Sequence, residues 1–170
     1  QIAVRTPDRS LSADPHVGND AGTRPSAPLH YVSPPTTVRS VKRLGEVKYE
    51  ADTDLTLRHR HFRTAQFKRG GSPTLDRTPL LFNDDVAMLY SAPDKQDEHF
   101  YRNTQGDTVV YVAEGEGHIE TRFVDLTIIT VDDLVIHRGI LHRYHVTKPA
   151  KLMTMDSSGY VHTPTHPCQM

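Results

Sequence analysis

An all-β fold is predicted for this chain, and three observations predict it. From Val38 onward, apolar residues come in short runs or alternate with polar ones, the period of strands rather than helices. Turn-forming residues recur at intervals of roughly 8–12 positions, the spacing of a sandwich or barrel. No helical periodicity or internal repeat interrupts the pattern.

Taken in order, the chain divides into an arm, a β domain and a tail. Six of the twelve prolines lie at Pro7, Pro15, Pro25, Pro28, Pro34 and Pro35. Proline fixes φ and removes an amide donor, so residues 1–37 are expected to be an extended arm with turns, suited to wrapping another subunit or domain. Residues 38–164 are expected to form the barrel and 165–170 a tail at the junction to a further domain. Within the barrel region, Leu55, Leu57, His59 and His61 alternate with Thr56, Arg58, Arg60 and Phe62, which predicts a strand. Lys68 to Pro73 is a glycine-containing loop. Leu80 to Phe82 and Val86 to Tyr90 read as strands around the turn Asn83-Asp84-Asp85. The run Ala92 to Glu98 reads as a charged surface connection. Further strands are expected near 99–103, 108–113, 118–123, 126–130, 134–137, 142–146 and 151–156, with a tight turn at Glu114-Gly115 between 108–113 and 118–123.

Composition narrows the function. A chain of 170 residues can bury a core, although apolar residues make up only 36% and Trp is absent. A formal charge of −1 gives no basic bias toward nucleic acid. No apolar run approaches the ~20 residues that span a bilayer, and the charged, proline-containing start does not read as a signal peptide. A cytoplasmic location without membrane or nucleic-acid partners is expected. Cys168, the sole cysteine, has no partner for a disulfide. The initial Gln suggests part of a longer product. No phosphate loop, nucleophile elbow or cysteine pair is present, and the pairs Asp84-Asp85 and Asp132-Asp133 sit in turns, where Asp bonds its own backbone.

The segment Gly106-Asp107-Thr108 to Glu114-Gly115-Glu116-Gly117, followed by Asp133 to His137-Arg138-Gly139 and then His142, resembles the pattern of a cupin, a double-stranded β-helix or jelly roll. The resemblance implies a metal site of two histidines and a glutamate from one strand pair with a later histidine, a set suited to Fe(II), Mn or Zn. With Gly115 aligned on the turn glycine, Tyr101 and Asn103 stand at the histidine positions, Thr108 at the carboxylate position and His142 at the late histidine. A scaffold barrel follows. Two alternatives remain open. Tyr101, Asn103, Thr108 and His142 converge as a hydrogen-bonding site for an acid or sugar. Or His99 and His142, with His118 or His137, hold a metal, since His99 shares strand parity with Tyr101 and Asn103. The run Arg58, His59, Arg60, His61, Arg63 repels a cation and reads either as an interface to carboxylates on other protein or as a charged edge.

A closer resemblance is carried by several segments in order. His99-Phe100-Tyr101-Arg102-Asn103-Thr104-Gln105-Gly106-Asp107, Arg5 to Leu11, Leu29 to Thr36, Arg58 to Thr64, Pro79 to Val86 and Val135 to Gly139 are similar to motifs in the amino-terminal half of homogentisate 1,2-dioxygenase and its relatives. That family opens an aromatic acid ring with O₂ and non-haem Fe(II) in tyrosine catabolism, and its iron ligands lie in a carboxy-terminal cupin domain. The resemblance therefore implies that this segment is the structural, assembly cupin of a homo-oligomeric oxygenase. The whole enzyme would use Fe(II) and a homogentisate-like substrate, while this part does not hold the iron tightly.

Overall fold

The structure is a computed structural model, and it describes residues 16–18, 26–28, 40–43, 48–54 and 56–162. The chain forms two compact units, Gln1–Lys48 and Tyr49–Met170. In the first, β1 (His16–Gly18) pairs antiparallel with β2 (Ser26–Pro28), with His16 opposite Pro28. The rest of the expected arm, the expected boundaries at 37/38 and 164/165, and the tail lie outside the described residues.

The second unit is all-β, as predicted. A short 3₁₀ turn at Thr64–Gln66 precedes β3 (Thr78–Phe82), β4 (Val86–Ser91), β5 (Thr108–Thr121), β6 (Asp125–Ile128), β7 (Asp133–Ile136) and β8 (His142–Ser157). The antiparallel order is β3-β4-β8-β5-β6, with β7 pairing the first half of β5. No described helix is long and apolar enough to cross a membrane.

Two expected strand pairs are in fact single long strands. The segments 108–113 and 118–123 join into β5, and 142–146 and 151–156 into β8. The expected tight turn at Gly115 is a bend inside β5, where the β5–β8 register shifts between Val112 and Gly117. Gly115 has φ +108°, and a Cβ there would lie 2.6 Å from Ala150 Cα, so the bend requires glycine. A turn and a bulged bend use the same residues, which is why the sequence pattern reads as either.

The bend folds the sheet onto itself. Side chains alternate, so one face of each half points inward. In the first half, three inward rows cross the sheet: Ala87, Asp156, Thr108 and Ile136; Leu89, Thr154, Val110 and Leu134; Ser91, Leu152 and Val112. The second half contributes Ile119 opposite Tyr144 and Thr121 opposite His142. Val110, Val112, Ala150 and Leu152 from the first half pack in one cluster with Ile119, Ile128 and Tyr144 from the second. A single core between two layers results, the arrangement of a jelly roll.

Three local expectations are corrected. Residues 56–63 form no strand: the Asp52 and Asp54 carboxylates accept the Asp54 and Thr56 amides, and Arg60 donates to Asp52 and to the Asp54 carbonyl. Side chains thus take backbone groups that a ladder would have used. Leu55 lies outside the described residues. The segment 99–103 reduces to one bridge, Tyr101 to His142, because the Asn103 side chain accepts the Gln105 and Gly106 amides and turns the chain. The connection 92–98 is not wholly on the surface, since Ala92, Pro93 and Asp97 are buried.

Candidate functional site

The cluster of interest forms at the ends of β5 and β8 farthest from the bend. His142 opens β8 and is 1% exposed; its backbone exchanges hydrogen bonds with Tyr101, at 2.8 and 2.9 Å. The Tyr101 ring stands edge-on to the His142 imidazole, centroids 5.6 Å apart, and Tyr144 does the same at 5.7 Å. Thr108 opens β5, fully buried, and donates to Asp156 Oδ1 at 2.7 Å, while Asn103 Nδ2 reaches Thr108 Oγ1 at 3.3 Å. The structure thus gathers all four predicted ligand-binding residues, Tyr101, Asn103, Thr108 and His142, into a contact network.

Residues that sequence reasoning did not single out complete it. Arg77 carries a side chain only 7% exposed; it pairs with Asp156 at 3.4 Å, donates Nε–H to the Pro73 carbonyl at 2.9 Å and lies 5.7 Å over the Tyr101 ring. Asp97 is buried and accepts from the Ser72 hydroxyl, from Thr74 Oγ1 at 2.7 Å, from the Thr74 amide and from the Tyr144 amide. The signal for Asp156 was available. It continues the parity of Ala150, Leu152 and Thr154, the inward face of β8. Arg77 and Asp97 sit outside regular alternation and carried no such mark.

Electrostatics follow from burial. Desolvation lowers the His142 pKa, with Arg77 adding to it, so the ring is neutral at pH 7. Its Nδ1 lies 3.1 Å from the Ile140 carbonyl, which can only accept, so Nδ1 carries the proton and Nε2 presents a lone pair. Burial likewise raises the Tyr101 and Tyr144 hydroxyls, against the opposing Arg77 charge, and keeps both phenols protonated. Among the described residues, His142 Nε2, the Tyr144 hydroxyl and Ser91 Oγ are buried without a hydrogen-bond partner. Each such orphan costs about 1–3 kcal/mol.

Fe(II), implied by the resemblance for the whole enzyme, does not fit these residues. Among Tyr101, Asn103, Thr108 and His142 only one is an imidazole, and the carboxylate that meets Thr108, Asp156, is also engaged by Arg77. A guanidinium at this position opposes a cation. His99 is exposed while His142 is buried, so the suggested pair is not brought together on one face. No group of three or more His, Cys, Asp or Glu with metal-holding geometry occurs among the described residues. His137 instead bonds Asp107 at 3.0 Å, and His118 stacks on His145 with centroids 4.3 Å apart.

Of the suggested interface run, Arg58 pairs with Asp54 and Arg60 with Asp52 at 3.1 Å. His59, His61 and Arg63 are exposed on the same irregular segment. These residues therefore do not form the flat strand face that the alternation predicted.

No protein-family model matches the chain. Among solved structures, a cupin-2 domain containing protein of Shewanella frigidimarina aligns at 17% identity over 55% of this chain and 86% of its own, TM-score 0.48. An RmlC-like cupin of the same organism aligns at 21% identity over 48% of this chain and 74% of its own, TM-score 0.44. A protein of Saccharolobus solfataricus named "Putative dioxygenase" is 31% identical over 132 residues, which cover 75% of this chain. The match spans 34% of that relative's length, so the chain is similar to about a third of it.

Proposed function

We propose that this chain is the structural cupin portion of a homogentisate 1,2-dioxygenase-like oxygenase, supplying scaffold and assembly surfaces rather than ring-cleaving chemistry. One observation carries the reading. The four positions at which a metal-binding cupin would place its ligands hold Tyr101, Asn103, Thr108 and His142, and the Arg77–Asp156 pair lies among them. The likeness to the dioxygenase-named relative supports the oxygenase half of the reading. In this reading Fe(II) and the aromatic acid are handled elsewhere in a cytoplasmic homo-oligomer.

The test is to purify the chain and measure its metal content, oxygen uptake with homogentisate, and mass by sedimentation. The expected result is no iron above background, no uptake, and self-association. Stoichiometric iron with homogentisate-dependent uptake would overturn the reading.

A further inference from the structure

The outer face of the first half of the sheet carries an apolar surface that the core does not use. Its residues alternate with the inward rows, and the strand register sets them side by side. One outward row is Val135, Val109, Met155, Met88 and Leu81, crossing β7, β5, β8, β4 and β3. The next is Asp133, Tyr111, Met153 and Tyr90. Tyr111, Val135 and Leu81 are 39%, 48% and 49% exposed, and Val109, Met88, Met153 and Met155 are half-buried. Three of the chain's four methionines thus lie on this face, and methionine repacks readily against another surface. A contiguous apolar face of this kind marks a place of contact.

Charge identifies the occupant. Asp133 is the sole charged residue in the two rows and stands at their β7 end. At the β4 end, the Phe67 ring packs edge-on to Tyr90, centroids 5.7 Å apart, and the Gly70 amide donates to the Ala92 carbonyl at 2.8 Å. Those two contacts hold Lys68 and Arg69 beside Tyr90. Both are exposed, and among the described residues neither they nor Asp133 enters an ion pair. The second row therefore runs from an unpaired carboxylate, across about 15 Å of apolar side chains, to two unpaired cations. A second copy, turned about a two-fold axis that follows the strands between β5 and β8, presents the same row in reverse. Apolar centre then meets apolar centre, and each Asp133 meets Lys68 and Arg69 of the other copy.

We propose that this face is the surface through which two copies of the chain pair. The contact is isologous, with the same patch used on both sides. The two sheets pack face to face and aligned, about 10 Å apart. The proposal rests on the assembly reading and names its surface. Two rows make a small interface, so the dissociation constant is expected on the order of 10 μM.

Sedimentation of the full chain from about 1 to 200 μM brackets that value. The unaltered chain should reach a dimer, weakened severalfold when salt is raised from about 0.05 to 0.5 M. Asp133→Arg sets like charges against each other at both ends and should weaken pairing about tenfold or more. Lys68→Glu combined with Arg69→Glu should do the same. Equal amounts of the two variants, mixed, should pair about as tightly as the unaltered chain, because both ends of the mixed pair are again opposite in charge. That recovery also shows that each variant is folded. A dimer indifferent to both substitutions, or a mixture no tighter than its parts, overturns this surface while the assembly reading stands. A chain that stays monomeric across the range overturns both.

Discussion

The two ends of the folded sheet are built from the same pair of strands and do opposite things. Near the bend, β5 and β8 bring Val112, Ile119, Ala150 and Leu152 into one apolar cluster. At the far end the same strands carry Thr108, His142 and Asp156, tied to Arg77 and flanked by Tyr101. The apolar end gains by burial alone, which tolerates small errors of geometry. The polar end holds buried charge and unmatched atoms, which cost free energy unless an arrangement is kept closely. The first end holds the fold together, and the second gives it chemical character.

Perturbing each end sharpens the contrast. Leu152→Ala, at the apolar end, should lower unfolding free energy by about 3–4 kcal/mol in urea titrations, transfer loss plus cavity. Arg77→Met leaves the Asp156 carboxylate without its cation and should cost about 3 kcal/mol, while adding Asp156→Leu should recover most of that loss. An unrecovered double variant would mean that the pair contributes more than it costs to bury.

The ends should also differ in pH response. His142 has its pKa depressed below the ordinary 6.5, chiefly by burial, so the unfolded chain takes up a proton first. Stability from this group is complete above pH 6.5 and is lost as pH falls from 6.5 toward the folded value. Urea unfolding midpoints should therefore begin to drop below pH 6.5, and His142→Asn should remove that first stage. The apolar end contributes no such dependence. The smallest effect is expected at neither end. Val131, in the turn between β6 and β7, has φ +77°, a conformation unfavourable to a β-branched residue. Val131→Gly should raise stability by roughly 0.5–1 kcal/mol, strain relief outweighing the added freedom of the unfolded chain.

The same contrast explains what the sequence reveals. Strand positions and the inward face of β8 follow from alternation, and His142 is marked by its place after Arg138-Gly139. The polar corner was half legible: Tyr101, Asn103, Thr108 and His142 come from an aligned pattern, whereas Arg77 and Asp97 arrive from irregular connections. A connection has no period, so nothing in the order of residues says that Asp97 turns inward while Asp94 and Glu98 stay exposed. The alternation at 55–62 misled for the converse reason. Asp52 and Asp54 close local hydrogen bonds that compete with pairing, and periodicity does not register them.

Asp107 draws these strands together at the end of the sheet where β5 begins. Its carboxylate, 1% exposed, accepts the Arg138 amide at 2.7 Å, the Val161 amide at 2.9 Å and His137 Nδ1 at 3.0 Å. Burial alone would raise its pKa, but these donors outweigh burial and hold it below the usual carboxylate range. Its partners at 138 and 161 are distant in sequence, so this clasp can close only after both long strands have found each other. Asp107→Asn should then accelerate unfolding while leaving the refolding limb of a chevron nearly unmoved, making one carboxylate a determinant of the native state's lifetime.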